Sequence, residues 1–112
     1  MRTIKFRAWD ESQKYMAKQG TPDLETIQSF FFHFGDCQLM QFTGLTDKNG
    51  VEIYEGDIVK PNIKHITRNC QVVFDSLCFK LATKEWTNWF SEHVWLDLEV
   101  IGNVYENPEL LQ

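Results

Sequence analysis

Leu39-Met40-Gln41-Phe42-Thr43-Gly44-Leu45-Thr46-Asp47-Lys48-Asn49-Gly50-Val51-Glu52-Ile53-Tyr54-Glu55-Gly56-Asp57-Ile58-Val59 is the stretch on which the fold turns. Leu39 to Phe42 has strand composition. Asp47-Lys48-Asn49-Gly50 then separates two strand-like runs, one ending at Leu45 and the other covering Val51 to Tyr54. Asn-Gly suits a tight reversal because both residues tolerate positive φ, so the stretch predicts a hairpin. Glu55-Gly56-Asp57 is a second turn. It feeds Ile58-Val59 into a further strand that Pro61 stops, since proline has no N–H for the ladder.

Toward the N-terminus, Ile4, Phe6 and Ala8 alternate with Lys5, Arg7 and Trp9, the period of a half-buried strand. Asp10-Glu11-Ser12 reads as a turn and Tyr15-Met16 as a short return strand. Gln19 to Asp23 is a loop. Thr21 or Asp23 could cap a short helix over Leu24 to Ile27, with a strand equally arguable, and Ser29 to Phe34 is an apolar run ended by Gly35-Asp36. Toward the C-terminus, Gln71 to Phe74 and Phe79 to Ala82 flank Asp75-Ser76 as a second hairpin. Trp86 to Trp95 reads either as a helical turn or as an irregular aromatic loop. Val100 to Tyr105 is a last strand, and Asn107 with Pro108 starts a terminal helix as its cap and first residue. Many short strands joined by turns predict a mainly β, β-rich α+β fold of antiparallel strands.

With 112 residues there is room for one domain, 1–112, around one core; 1–55 and 56–112 are its natural subdivision. A chain that is 43% hydrophobic and 14% aromatic can bury a core, which excludes disorder. The net charge of −5 argues against unspecific binding of duplex DNA, which needs a positive surface. Cys37, Cys70 and Cys78 are odd in number and widely spaced, as free thiols in a reducing compartment would be. Apolar runs are strand-sized, far short of a membrane span. These features together predict a soluble, cytoplasmic protein.

Reactive constellations are sparse. His33, His65 and His93 accompany the three cysteines, but no Cys-x-x-Cys pair of the structural-zinc kind occurs, so no metal and no cofactor is expected. Aligning Gly50 with the glycine of a helix-loop-helix calcium loop puts Leu45 and Gly56 at ligand positions, and neither has a side-chain oxygen. No nucleophile elbow or phosphate-cradling glycine loop occurs. Glu52, Glu55 and Asp57 read more simply as turn residues than as an acid–base pair. Two surfaces are left over. Lys60, Lys64, His65 and Arg68 form a positive stretch, and Lys60, Lys64 and Arg68 are the candidate phosphate contacts. Trp86, Trp89, Phe90 and Trp95 form an aromatic cluster suited to a partner or oligomer surface, or to the core.

The central stretch, the opening Ile4-Lys5-Phe6-Arg7-Ala8-Trp9-Asp10 and the closing Val100-Ile101-Gly102-Asn103-Val104-Tyr105-Glu106-Asn107-Pro108-Glu109-Leu110-Leu111 resemble the ordered motifs of the YopX-like proteins encoded by phages and prophages. Val104 stands where isoleucine is more usual. The resemblance implies a phage or prophage origin, a β-rich fold and a bacterial cytoplasm, and it carries no agreed enzymatic activity and no catalytic residues. Met16 to Asp36 and Asn62 to Leu98 vary from the pattern, so it lends no role to either leftover surface. The Gly56-Asp57-Ile58-Val59 start is similar to the first strand of Src-homology-3-like barrels, which implies a small C-terminal barrel closed by Ile58 to Tyr105, with an N-terminal β extension. The functional expectation is a non-catalytic binding or assembly module, acting as a homo-oligomer or through a protein partner. The alternatives are a nucleic-acid-binding accessory protein and an enzyme of unrecognised type built around Cys78 and His93.

Overall fold

A computed structural model describes residues 4–19, 37–62 and 66–111. The expectations for Leu24 to Ile27 and Ser29 to Phe34, and those for His33, Lys64 and His65, lie outside the described residues. The chain divides into two compact units, Met1–Phe42 and Thr43–Gln112.

In the first unit, β1 (Phe6–Asp10) is flanked by β2 (Tyr15–Lys18) and by the start of β3 (Gln38–Thr46), all antiparallel. The β1–β2 turn is tied by Asp10, whose Oδ1 accepts from the backbone N–H groups of Ser12 and Gln13 at 3.0 and 3.2 Å. Ala8 and Ala17 face each other across the ladder and are buried, with Phe6 and Cys37 packed on them. The expected alternation does not hold here. Ile4 is exposed, whereas Arg7, Ala8 and Trp9 are buried in succession, because both faces of β1 are covered.

The second unit starts with the rest of β3, which neighbours β4 (Glu52–Tyr54). The predicted reversal is present with a different geometry. Gly50 N–H donates to Asp47 O at 3.0 Å, Asp47 N–H donates to Val51 O at 2.8 Å, and only Gly50 has positive φ, at 82°. This is a type I turn followed by a left-handed glycine, so Asn49 need not leave the right-handed region. Gly44, at φ 89°, holds a left-handed position within β3 that favours glycine.

β5 (Asp57–Lys60), β6 (Cys70–Asp75), β7 (Cys78–Ala82), β8 (Thr87–Asn88) and β9 (Glu99–Asn103) form an antiparallel sheet in the order β8-β7-β6-β5-β9, with the curl of a half-barrel. The last strand returns to the first, pairing Ile58 with Gly102 and Val59 with Val100 across a bulge. That return is the one implied for the region after Gly56. The core of this unit is Ile53, Val59, Cys70, Val72, Phe79, Leu81, Trp95 and Leu98.

The segment from Trp86 to Trp95 takes the helical turn expected of it only in its second half. It holds the two-residue strand β8 and then a short helix α1 (Glu92–Leu96). The terminal helix is a 3-10 turn, η1 (Pro108–Leu111). Asn107 caps it through its backbone oxygen, which accepts from Leu110 N–H at 3.1 Å. Its side chain faces the other way, with Oδ1 accepting from Asn103 N–H at 3.2 Å. That amide lies over Gly102, where a Cβ would come within 2.6 Å of Asn107 Oδ1, so the glycine is required by close approach.

Candidate binding surfaces

Two regions of the second unit combine exposure with chemistry that its core does not use. The first is built where β6 begins. Asn69 donates through Nδ2 to Leu110 O at 2.9 Å, holding η1 against the entry to β6. On the neighbouring strand, Thr83 closes the β7–β8 turn. Its N–H donates to Trp86 O at 2.8 Å, and its Oγ1 accepts from the N–H groups of Glu85 and Trp86 at 3.2 and 3.3 Å. Such a side-chain-to-backbone turn holds the residues between in one arrangement.

Between these segments lies a cleft of about 570 Å3 lined by Thr67, Arg68, Asn69, Lys84, Leu110 and Leu111. A smaller hollow of about 190 Å3 shares Arg68, Asn69, Lys84 and Leu111 and adds Thr83. Arg68 Nη2 contacts Glu85 Oε1 at 3.1 Å, and both side chains are well exposed, at 59% and 66%. Of the predicted phosphate contacts, Arg68 lines the cleft, Lys60 is an exposed residue at the end of β5 away from its lining, and Lys64 is outside the described residues. Lys84, two residues before Trp86, is the second cation. The β6–β7 ladder ends at Gln71 and Ala82, and Lys84 reaches the cleft from the β7–β8 turn that follows it.

The second region is the aromatic segment, and the structure separates its four rings. Trp95 is 3% exposed within the core and donates from Nε1 to Phe90 O at 3.1 Å. Trp86 and Phe90 are half-buried and pack edge to face, 6.1 Å apart at 65°. Trp89 alone among the four is turned outward, at 64% exposure, and Leu96 of α1 is also exposed.

The perturbed titrating groups of this unit serve the fold. Burial pushes the Cys70 thiol up to about 11, and its Sγ lies 3.6 Å from Arg68 O. Burial also pushes Asp47 upward, but the N–H groups of Val100, Val51 and Asn49 and the Lys48 charge outweigh it, holding the carboxyl below its ordinary value. Cys78 approaches Asp75 O at 3.6 Å, while His93 is exposed on α1. Among the described residues no three His, Cys, Asp or Glu side chains are grouped to hold a metal, and no helix is long and apolar enough to cross a membrane.

No curated protein matches the sequence. Among solved structures, the crystal structure of protein EF1440 from Enterococcus faecalis is similar at a TM-score of 0.71 and 29% identity, with 100% of each chain covered. The family model described as YopX protein matches residues 5–112. It spans the turn at Asp47, the cleft and the exposed tryptophan alike, and the chain belongs to the YopX family.

Proposed function

We propose that this protein is a phage- or prophage-encoded, non-catalytic binding or assembly module of the bacterial cytoplasm, acting through its own oligomer or a protein partner. Trp89 is the observation that carries this reading. The segment packs its other three rings and leaves this one 64% exposed. An indole in water forgoes the gain of burying a large apolar surface, and tryptophan is over-represented among residues that dominate protein interfaces. The engaged states of Asp47 and Cys70 support the same reading, since the groups with displaced proton affinity hold turns and core together.

Light scattering of the full chain across about a hundredfold range of concentration should reveal an oligomer, and Trp89→Ala should shift it toward monomer. A chain that stays monomeric throughout, and holds no host or phage protein through Trp89, removes the support for this function. The nucleic-acid reading draws on the cleft that Arg68 and Lys84 share. The net charge of −5 weighs against it.

A further inference from the structure

The cleft beside β6 carries a charge opposite to that of the molecule around it. The chain is at −5 overall, yet both Arg68 and Lys84 line this cleft, and Leu110 and Leu111 supply apolar surface next to them. Lys84 makes no ion pair among the described residues. Among the described residues the Arg68 guanidinium makes one ion pair, to Glu85, and both partners are more than half exposed. A pair of that kind is weakened by the water around it, so it opens readily. A guanidinium also presents five N–H donors in a planar fork, more than one Glu85 oxygen uses.

We infer that this cleft receives a short acidic segment of a protein partner. A carboxylate of the segment meets Lys84, another replaces Glu85 on Arg68, and an apolar side chain lies against Leu110 and Leu111. This rests on the reading of the chain as a binding module and names the surface and chemistry it uses. Glu85 then acts as a built-in competitor that occupies the Arg68 fork until a partner displaces it. Single-stranded nucleic acid suits the cleft less well. Its affinity needs several cations along a groove and an open ring for stacking. Here Glu85 stands at the rim and Trp86 is half-buried against Phe90. A peptide carboxylate flanked by a leucine-like side chain uses both the charged and the apolar walls.

The test is a titration of the full-length, 15N-labelled protein with acetyl-Glu-Leu-Glu-Leu-Glu-amide, followed by amide NMR. The expected result is a set of shifts confined to Thr67, Arg68, Asn69, Lys84 and Glu85 and to Leu110, weakened by salt. Lys84→Gln and Arg68→Gln should each reduce affinity about tenfold, the loss of one charge-assisted contact. Glu85→Gln should raise it several-fold, a change of sign that a merely structural role does not produce. Equal binding of the same peptide with glutamine for glutamate overturns the inference. So does weaker binding in Glu85→Gln, or tighter binding of a short oligothymidylate at the same amides. Each of those failures leaves the Trp89 oligomer measurement standing, so the cleft and the broader reading fail separately.

Discussion

Asp47 shows how much of the second unit one side chain organises. Its Oδ1 accepts from Asn49 and Val51 N–H at 2.8 and 2.9 Å, closing the β3–β4 turn. Its Oδ2 accepts from Val100 N–H at 2.9 Å, attaching that turn to β9, and Lys48 N–H adds a bond to Leu98 O at 3.0 Å. Asp47→Ala removes the acceptor of three part-buried donors and should cost about 2 kcal/mol in urea unfolding, while Asp47→Asn, which keeps one acceptor oxygen, should cost less. Because the folded carboxyl lies below the ordinary value of 3.8, the native state favours the charged form. The stability this contributes is fully present above that value and is lost as pH falls through the folded one. Asp47→Asn should therefore flatten the acid limb of the stability profile below about pH 4. An acid limb as steep as in the native chain would show that other carboxylates govern it.

At the scale of elements, the β3–β4 and β6–β7 hairpins solve the same problem with different residues. The β3–β4 turn puts glycine at its one left-handed position, Gly50. The β6–β7 turn puts Ser76 and Leu77 at φ 52° and 67°, two left-handed residues in succession between the paired Asp75 and Cys78. That is the two-residue mirror-image turn that matches strand twist, and it disfavours side chains with a Cβ by about 1–2 kcal/mol per residue. Leu77 is 91% exposed, so its side chain returns almost no packing to offset the strain. Leu77→Gly should stabilise the protein by about 0.5–1 kcal/mol, after allowing for the greater freedom of glycine in the unfolded chain. Thermal unfolding reads this as a raised Tm, and a lowered Tm would mean that Leu77 is packed in solution. The end of β9 relies on side-chain amides for its turn. Asn103 Oδ1 accepts from Tyr105 and Glu106 N–H at 3.0 and 2.9 Å, and its Nδ2 donates to Glu106 at 3.0 Å.

At the scale of the whole molecule, each unit carries a core of its own. The described core of Met1–Phe42 is centred on Ala8 and Ala17, two small residues. That of Thr43–Gln112 holds eight buried residues, including Ile53, Phe79, Leu81 and Trp95, and is closed by the pairing of β5 with β9. Burial of large side chains is the main stabilising contribution, so the second unit should keep its fold when it begins at Thr43. A dispersed NMR spectrum and a cooperative melt for residues 43–112 are the expected outcome. A collapsed spectrum would show that the strand before Thr43 is needed to hold β3 in place.

Local chemistry made much of this legible. Asp-Lys-Asn-Gly announced a reversal, Pro61 ended β5, and alternating residues around Asp75-Ser76 announced a hairpin, because turn preference and strand period act over a few neighbouring residues. The return of the final strand onto β5 was readable only through the likeness of Gly56 to Val59 to the first strand of Src-homology-3-like barrels. Other features had no local signal. Trp95 and Trp89 are six positions apart in one aromatic segment, yet one lies in the core and the other in solvent. The bond from Val100 to Asp47 crosses 53 residues, and Arg68, Lys84, Leu110 and Leu111 share a cleft through the β7–β8 turn and the docking of η1. Composition and period determined that strands and turns would form, since those are properties of short stretches. Which side chains meet across them was decided by register and long-range packing, whose energies depend on residues far apart in the chain.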